Sequence, residues 1–236
     1  MYQKTSLIGK KIRGWHNIGF AGHKTNKYYL TRFFGIRIQT QNVLKTMNRE
    51  IKEIERVVDE LLVGNVILYP TDTVWGIGCD AENADAVKKV FRVKERPEDK
   101  PFILLVADVE MLKHYVKNLP ENFESQMQNQ DRPTTYIFSE PQNLPKEVLA
   151  NDGSVAIRIP NDEFCHRLVR QFERAIVSTS ANVSGEQTTG SFSGIPDSIK
   201  QKVDYVVTWR QEEEISALPS RIVQLQPDGS LKVIRE

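Results

Sequence analysis

Two distant stretches carry the residue types that can do chemistry. Lys94-Glu95-Arg96-Pro97-Glu98-Asp99-Lys100-Pro101 sets three cations within seven residues, and Ser178-Thr179-Ser180-Ala181-Asn182-Val183-Ser184-Gly185 sets four hydroxyls and an amide within eight. Each proline fixes its own φ and pushes the preceding residue toward extended geometry, so the first stretch reads as a stiff cationic loop. The second can turn side chains and backbone N–H groups onto one polar ligand. The two are expected to close around a single polyanionic substrate. Taken alone, each has a plainer reading: a solvated turn whose acids pair off its bases, and an ordinary flexible loop.

No nucleophile and base stand together in the sequence. Cys79 and Cys165 read as packed thiols, and His114 and His166 sit in helical patterns beside hydrophobic residues as structural histidines. An enzyme whose reactive groups all belong to its substrates needs only positioning and charge stabilisation, which Lys, Arg, Ser and Asn supply.

The loop Pro70–Ala81 holds a third candidate. Thr71-Asp72-Thr73 places two hydroxyls around a carboxylate directly after a short β-rich run, at the sheet edge where α/β proteins bind ligands; a hydroxyl or Asx turn closed by Pro70 is the competing account. Gly76-Ile77-Gly78-Cys79-Asp80-Ala81 formally matches a dinucleotide fingerprint. The first glycine of that motif must follow its strand directly, and here six residues from Pro70 to Trp75 intervene. No GxxxxGK[ST] occurs, which excludes a P-loop.

The elements that must position these residues follow from periodicity. Asn48 is the expected N-cap of a helix in which Ile51, Ile54, Val57, Val58, Leu61 and Leu62 recur at helical spacing, ended by Gly64. Further helices are expected from a cap near Asn83, over Asp108–Val116 and over about Asp162–Phe172. Strands are expected at Val66–Tyr69, Phe102–Val106, Thr134–Phe138, Val155–Ile159, Ala175–Val177, Tyr205–Val207 and Ile222–Leu225. Pro227-Asp228-Gly229 then turns the chain into Leu231–Ile234. This alternation predicts one α/β domain over 47–236 with a mixed sheet.

Composition narrows the class. Of 236 residues 39% are apolar and 27% charged, as in a soluble globular protein. No apolar run approaches a membrane span, and the start lacks the apolar core of a secretory signal. The two cysteines form no CxxC unit and the four histidines no ligand cluster, so neither a disulfide framework nor a metal site is expected and a reducing cytoplasm is the default.

The net charge of +1 hides an asymmetry: residues 1–46 hold nine Lys/Arg and no Asp/Glu, leaving 23 basic against 31 acidic residues, a balance of −8, in the remainder. The leader mixes those bases with Trp15, Phe20, Tyr28, Tyr29, Phe33 and Phe34. It reads first as an extension outside the fold, or an over-called start, because Met47 precedes the expected helix; a basic RNA-binding arm and a targeting segment are the alternatives.

Pro70–Ala81, Lys94–Pro101 and Ser178–Gly185, in that order, resemble the YrdC-like threonylcarbamoyl-AMP synthase family over essentially Met47–Glu236, in its short single-domain form. The resemblance implies an open, twisted α/β sheet with a central cavity. It also implies a reaction of L-threonine, bicarbonate and ATP giving threonylcarbamoyl-adenylate and pyrophosphate. Mg2+ would accompany the triphosphate, and downstream threonylcarbamoyl-transfer proteins would pass the group to tRNA, which this chain itself would bind weakly. By the family pattern Lys94, Arg96, Ser180 and Asn182 form a catalytic tetrad and Lys100 reaches another phosphate. Thr135, Thr188 and Arg235 join the ATP side, Thr73, Ser178 and Ser220 the threonine side. Arg158, before Pro160, would serve a carboxylate or phosphate, or stand as an exposed strand arginine, and Thr71 is a further candidate. The chain departs from the pattern at Trp75, where tyrosine is usual, at Leu105 in place of a histidine, at Asp131-Arg132-Pro133 and at Asn161-Asp162. A non-catalytic RNA-binding module is the competing function, disfavoured by the −8 balance. A second is the carbamoyl-adenylate chemistry of hydrogenase-maturation proteins, whose additional regions are absent from this sequence.

Overall fold

The computed structural model describes residues 25–97, 102–128, 130–214 and 219–236, and within the first helix the side chains of 25–40 and 42 fall outside that description. The chain divides into two compact units, Met1–Thr46 and Met47–Glu236. The sheet and the cleft described here belong wholly to the second.

Helix α1 spans Thr25–Leu62, so Asn48 is an interior helical position and not the cap expected for it. The reason is local: no proline interrupts residues 25–48, and the polar residue at 48 offers a cap only where the preceding turn is broken. The cap expected near Asn83 forms, and two further caps appear at Asp108 and Asp162. In α2 (Ala84–Lys94) the Asn83 side chain accepts from the N–H groups of Asp85 and Ala86, each at 3.1 Å. Asp108 caps α3 (Val109–Tyr115) and Asp162 caps α5 (Glu163–Phe172) by accepting, at 2.9 Å, the N–H of Met111 and Cys165. Two short helices without a clear apolar period, α4 (Phe123–Gln128) and α6 (Asp197–Lys200), are additions to the sequence reading.

The strands are β1 (Ile67–Tyr69), β2 (Gly76–Gly78), β3 (Ile103–Leu105), β4 (Thr134–Phe138), β5 (Val155–Arg158), β6 (Ile176–Ser180), β7 (Tyr205–Val206), β8 (Arg221–Leu225) and β9 (Leu231–Arg235). They form one open mixed sheet in the order β7-β1-β2-β6-β3-β5-β4-β8-β9, with parallel pairing at β1–β7, β3–β5 and β4–β8. This is the open mixed α/β sheet with flanking helices expected from the sequence.

Two differences bear on the site. Pro70–Ala81 is not all loop, since Gly76-Ile77-Gly78 forms β2, pairing with β1 on one side and β6 on the other. Glycine there is dictated by packing: a Cβ at Gly78 would stand 2.5 Å from the Val177 carbonyl oxygen and 2.8 Å from the Tyr69 ring. A β2 strand in this position also removes the strand–turn–helix context of the dinucleotide motif. Second, β6 runs on to Ser180, so Ser178-Thr179-Ser180 is strand and not loop.

Two apolar layers fix the sheet. On one face α2, α3 and α4 bury Val87, Val90, Phe91, Leu112, Tyr115 and Phe123 against β-strand side chains such as Leu104, Val177 and Ile157. On the other, α5 packs Phe164, Cys165, Leu168 and Phe172 with Ile54, Val57 and Leu61 of α1, over Tyr69, Leu105 and Ile176. That second cover stops short, and the uncovered part of the face is the cleft.

Candidate active site

Strand register brings the three motifs together. Ser180 lies opposite Gly76 across β6–β2, Ser178 opposite Ile103 across β6–β3, and Ile103 opposite Ala156 across β3–β5. Directly opposed residues share a face, so Ser178, Ile103, Ala156 and Ile137 form a floor. The cleft above it measures about 410 Å³ and is lined also by Thr71, Thr73, Gly76, Arg96, Phe102, Arg158, Ser180, Thr188, Ser220 and Arg235. That volume is in the range of small-ligand sites. Among the described residues lining it are three arginines and no Asp or Glu, so its walls are cationic. The same residues offer no carboxylate to a metal, and no cluster of three or more His, Cys, Asp or Glu that could hold one exists among the described residues.

Lys94 is the last residue of α2 and, at 2% exposure, is buried. Its ammonium donates to the carbonyl oxygens of Ser180 (2.5 Å) and Asn182 (2.9 Å) and to Asn182 Oδ1 (3.3 Å). Asn182 Oδ1 also accepts from Ser180 Oγ, while Asn182 Nδ2 donates to the carbonyls of Val183 (3.0 Å) and Glu186 (2.8 Å). Every hydrogen of the ammonium thus has an acceptor, and residues 88 apart in sequence are locked together. Burial first, and then the neighbouring Arg96 charge, lower the Lys94 pKa to about 8.

The chain then reverses at Glu95, whose φ of 52° is left-handed, and Arg96 N–H returns to the Phe91 carbonyl at 3.1 Å. A non-glycine residue costs about 1 kcal/mol in this conformation; here it swings Arg96 off the helix and into the cleft wall. The Glu95 carboxylate faces outward to Lys202 Nζ at 2.7 Å, so this acid of the cationic stretch pairs with a base from another part of the chain. Lys100 lies outside the described residues.

The Thr71 turn forms as well as lining the cleft. Thr71 Oγ1 accepts from the N–H groups of Thr73 and Val74 and donates to the Val74 carbonyl at 2.6 Å. Asp72 points elsewhere, with its Oδ1 2.9 Å from Arg158 Nη1. Arg158 is 4% exposed, not the exposed strand residue that was one of its two readings. The pair is held by charge and not by alignment, since Arg158 Nε and Nη1 and Asp72 Oδ1 make no hydrogen bond.

Thr135, like Lys94 and Asn182, does not line the cleft: it is wholly buried, with its hydroxyl 2.9 Å from Ser220 Oγ, and it is Ser220 that lines the cleft. Arg235 Nη2 donates to the Ser220 carbonyl at 2.8 Å. Trp75 and Leu105, the two departures nearest the motifs, both leave the cleft alone. Trp75 packs into the core on the opposite face with its ring 4.9 Å from Phe192, and Leu105 is sealed under α5. Cys79 and Cys165 are buried thiols, raised in pKa chiefly by burial, whereas His114 is exposed, with its ring edge-on to Tyr115 at 4.9 Å. Sequence reasoning missed the apolar floor and Phe102. The floor follows from knowing which strands are neighbours; the signal for Phe102 was its place just after the cationic stretch.

Comparison with known proteins bears on the fold and the family. Residues 59–236 match the profile of the Sua5/YciO/YrdC family, described as "Telomere recombination". The threonylcarbamoyl-AMP synthase of Acinetobacter baumannii is 31% identical over 167 residues, which cover 68% of this chain and 87% of the relative. The structure of Pyrococcus abyssi Sua5 complexed with L-threonine superposes with a TM-score of 0.67 at 28% identity, covering 73% of this chain and 50% of that one. Escherichia coli YciO shares the fold at a TM-score of 0.67 and 24% identity over 78% of this chain and 88% of that one. The chain belongs to the Sua5/YciO/YrdC family.

Proposed function

We infer that this chain is an ATP-dependent threonylcarbamoyl-AMP synthase. The observation that supports it most is the cleft lined by both Arg96 and Ser180, with three arginines and no Asp or Glu among its described residues, beside the Lys94–Asn182 lock, in a chain with 31% identity to a protein of that name. The threonine amine takes up CO2, from bicarbonate, as a carbamate. A carbamate oxygen then bonds to the α-phosphorus of ATP as the bond to the β-phosphate bridging oxygen breaks, and pyrophosphate leaves with that electron pair. Charge develops only on phosphate oxygens, so fixed cations and donors suffice. Arg96 and Ser180 hold the triphosphate, Lys94 and Asn182 complete the cluster from one layer deeper, and Thr188 and Arg235 border the nucleotide, with Thr135 behind Ser220. Thr73, Ser178 and Ser220 face threonine, Thr71 shapes its turn, and the Arg158 guanidinium takes the carboxylate. Mg2+ enters as the ATP complex, held by phosphate and water.

Pyrophosphate release from ATP tests this, with threonine and bicarbonate each omitted in turn. Release is expected only when both are present; release indifferent to threonine sinks the assignment, and release from ATP with carbamoyl phosphate would move it to the related carbamoyl-adenylate chemistry. Catalysis is placed wholly in 47–236, with 1–46 as an extension outside the catalytic unit. Deleting residues 1–46 is therefore expected to leave turnover unchanged in the same assay, and loss of activity would give the leader a role in the site. The labile product calls for transfer proteins that place the group on tRNA. An RNA-binding module without catalysis would instead bind tRNA at high salt and form no adenylate.

A further inference from the structure

Phe102 is 1% exposed and yet forms part of the cleft wall. The Arg96 guanidinium lies over its ring, 5.0 Å from the centroid. Phe91 of α2 packs against the same ring at 4.4 Å with a 38° tilt, and the Phe91 carbonyl is also the acceptor for Arg96 N–H. Phe102 directly precedes Ile103, which is paired to Ser178 of β6. A helix residue, a strand-entry residue and the cleft arginine therefore form one stack tied to the strand that carries Ser180.

We propose that Phe102 is the positioning residue for Arg96, holding the guanidinium by its ring face while the N–H edge stays directed at phosphate. The inference rests on the triphosphate-binding role given to Arg96 above. A guanidinium binds a ring through its flat face and a phosphate through its in-plane N–H fork, so the two contacts do not compete. Phe102 is not a stacking platform for the adenine, because the ring is 1% exposed, with Arg96 over it and Phe91 packed against it.

The test replaces Phe102 in the full chain by 4-fluoro-, 3,5-difluoro- and 3,4,5-trifluorophenylalanine, which nearly keep the ring's size while draining the negative charge of its face. The dissociation constant of ATP and of inorganic triphosphate is expected to rise stepwise, reaching about 10-fold at three fluorines. Adenosine and threonine binding and the thermal midpoint stay constant. Phe102→Trp keeps triphosphate affinity and Phe102→Leu loses it to the same extent as the trifluoro ring. Triphosphate affinity that is flat across the series overturns the proposal and leaves Phe102 a core residue. Fluorine-dependent adenosine binding overturns it in favour of base stacking. Because triphosphate binding is read without turnover, a wild-type chain that releases no threonine-dependent pyrophosphate would refute the synthase reading separately.

Discussion

Arg96→Ala lowers threonine-dependent pyrophosphate release by about 10²-fold while leaving the fold intact, because a donor aimed at transferring phosphate is typically worth that much. Stability is expected to move by under about 1 kcal/mol, since the side chain is half-buried and beyond the helix end. Arg96→Lys does not rescue. A point charge can neither donate a planar fork to phosphate nor keep the face-on contact with Phe102 at 5.0 Å. Steady-state kinetics at saturating threonine check this; a turnover within a few-fold of wild type would remove Arg96 from the phosphate site. A thermal midpoint that collapses with activity would show the residue to be structural.

Lys94→Met gives the second large effect, by a different route. The variant leaves the carbonyls of Ser180 and Asn182 without their buried donor, costing about 3 kcal/mol of stability. It also releases the strand end that sets Ser180, and misplacement of about 1 Å at a reacting group costs about 10²-fold in turnover. The pH dependence separates charge from packing. With a pKa of about 8, the ammonium loses a proton, and one of its three hydrogen bonds, as pH rises through that value. In kcat/KM, which reports the free enzyme, an alkaline limb is expected near 8; in kcat it moves upward, because bound phosphate favours the charged form. Stability runs the other way. Burial disfavours the ammonium, so the folded pKa lies below the usual 10.5; the resulting penalty is full below about 8 and is relieved between there and 10.5. Between those limits the wild type thus loses activity while the Lys94 contribution to stability grows, and Lys94→Met shows neither trend. A kcat/KM profile flat to pH 9.5 would detach Lys94 from the reaction.

Much of the site was legible before the fold. Local rules were enough wherever a side chain acts on its own backbone. Asn83 caps its helix because a short side chain brings its oxygen onto free N–H groups, and the continuous apolar run around 103–105 and the segment 134–138 became strands. Local rules failed where long-range packing outweighed propensity. Gly76-Ile77-Gly78 has no strand signature, since glycine weakens a strand in isolation; it is one because it pairs between β1 and β6, where the Tyr69 ring and the Val177 carbonyl leave no room for a side chain at Gly78. Asn48 looked like a helix start because a cap preference is weak against an unbroken turn on either side.

The sequence by itself determined the chemistry on offer: cations, hydroxyls and an amide with no nucleophile, in three motifs whose order already marked the family. The tertiary structure decided what each member does, because that depends on partners 80 or more residues away. It turned Lys94 into the tie between Ser180 and Asn182, gave Asp72 to Arg158 and not to the cleft, and set Thr135 behind Ser220. It also laid Arg96, just past the left-handed turn at Glu95, on Phe102 six residues further on.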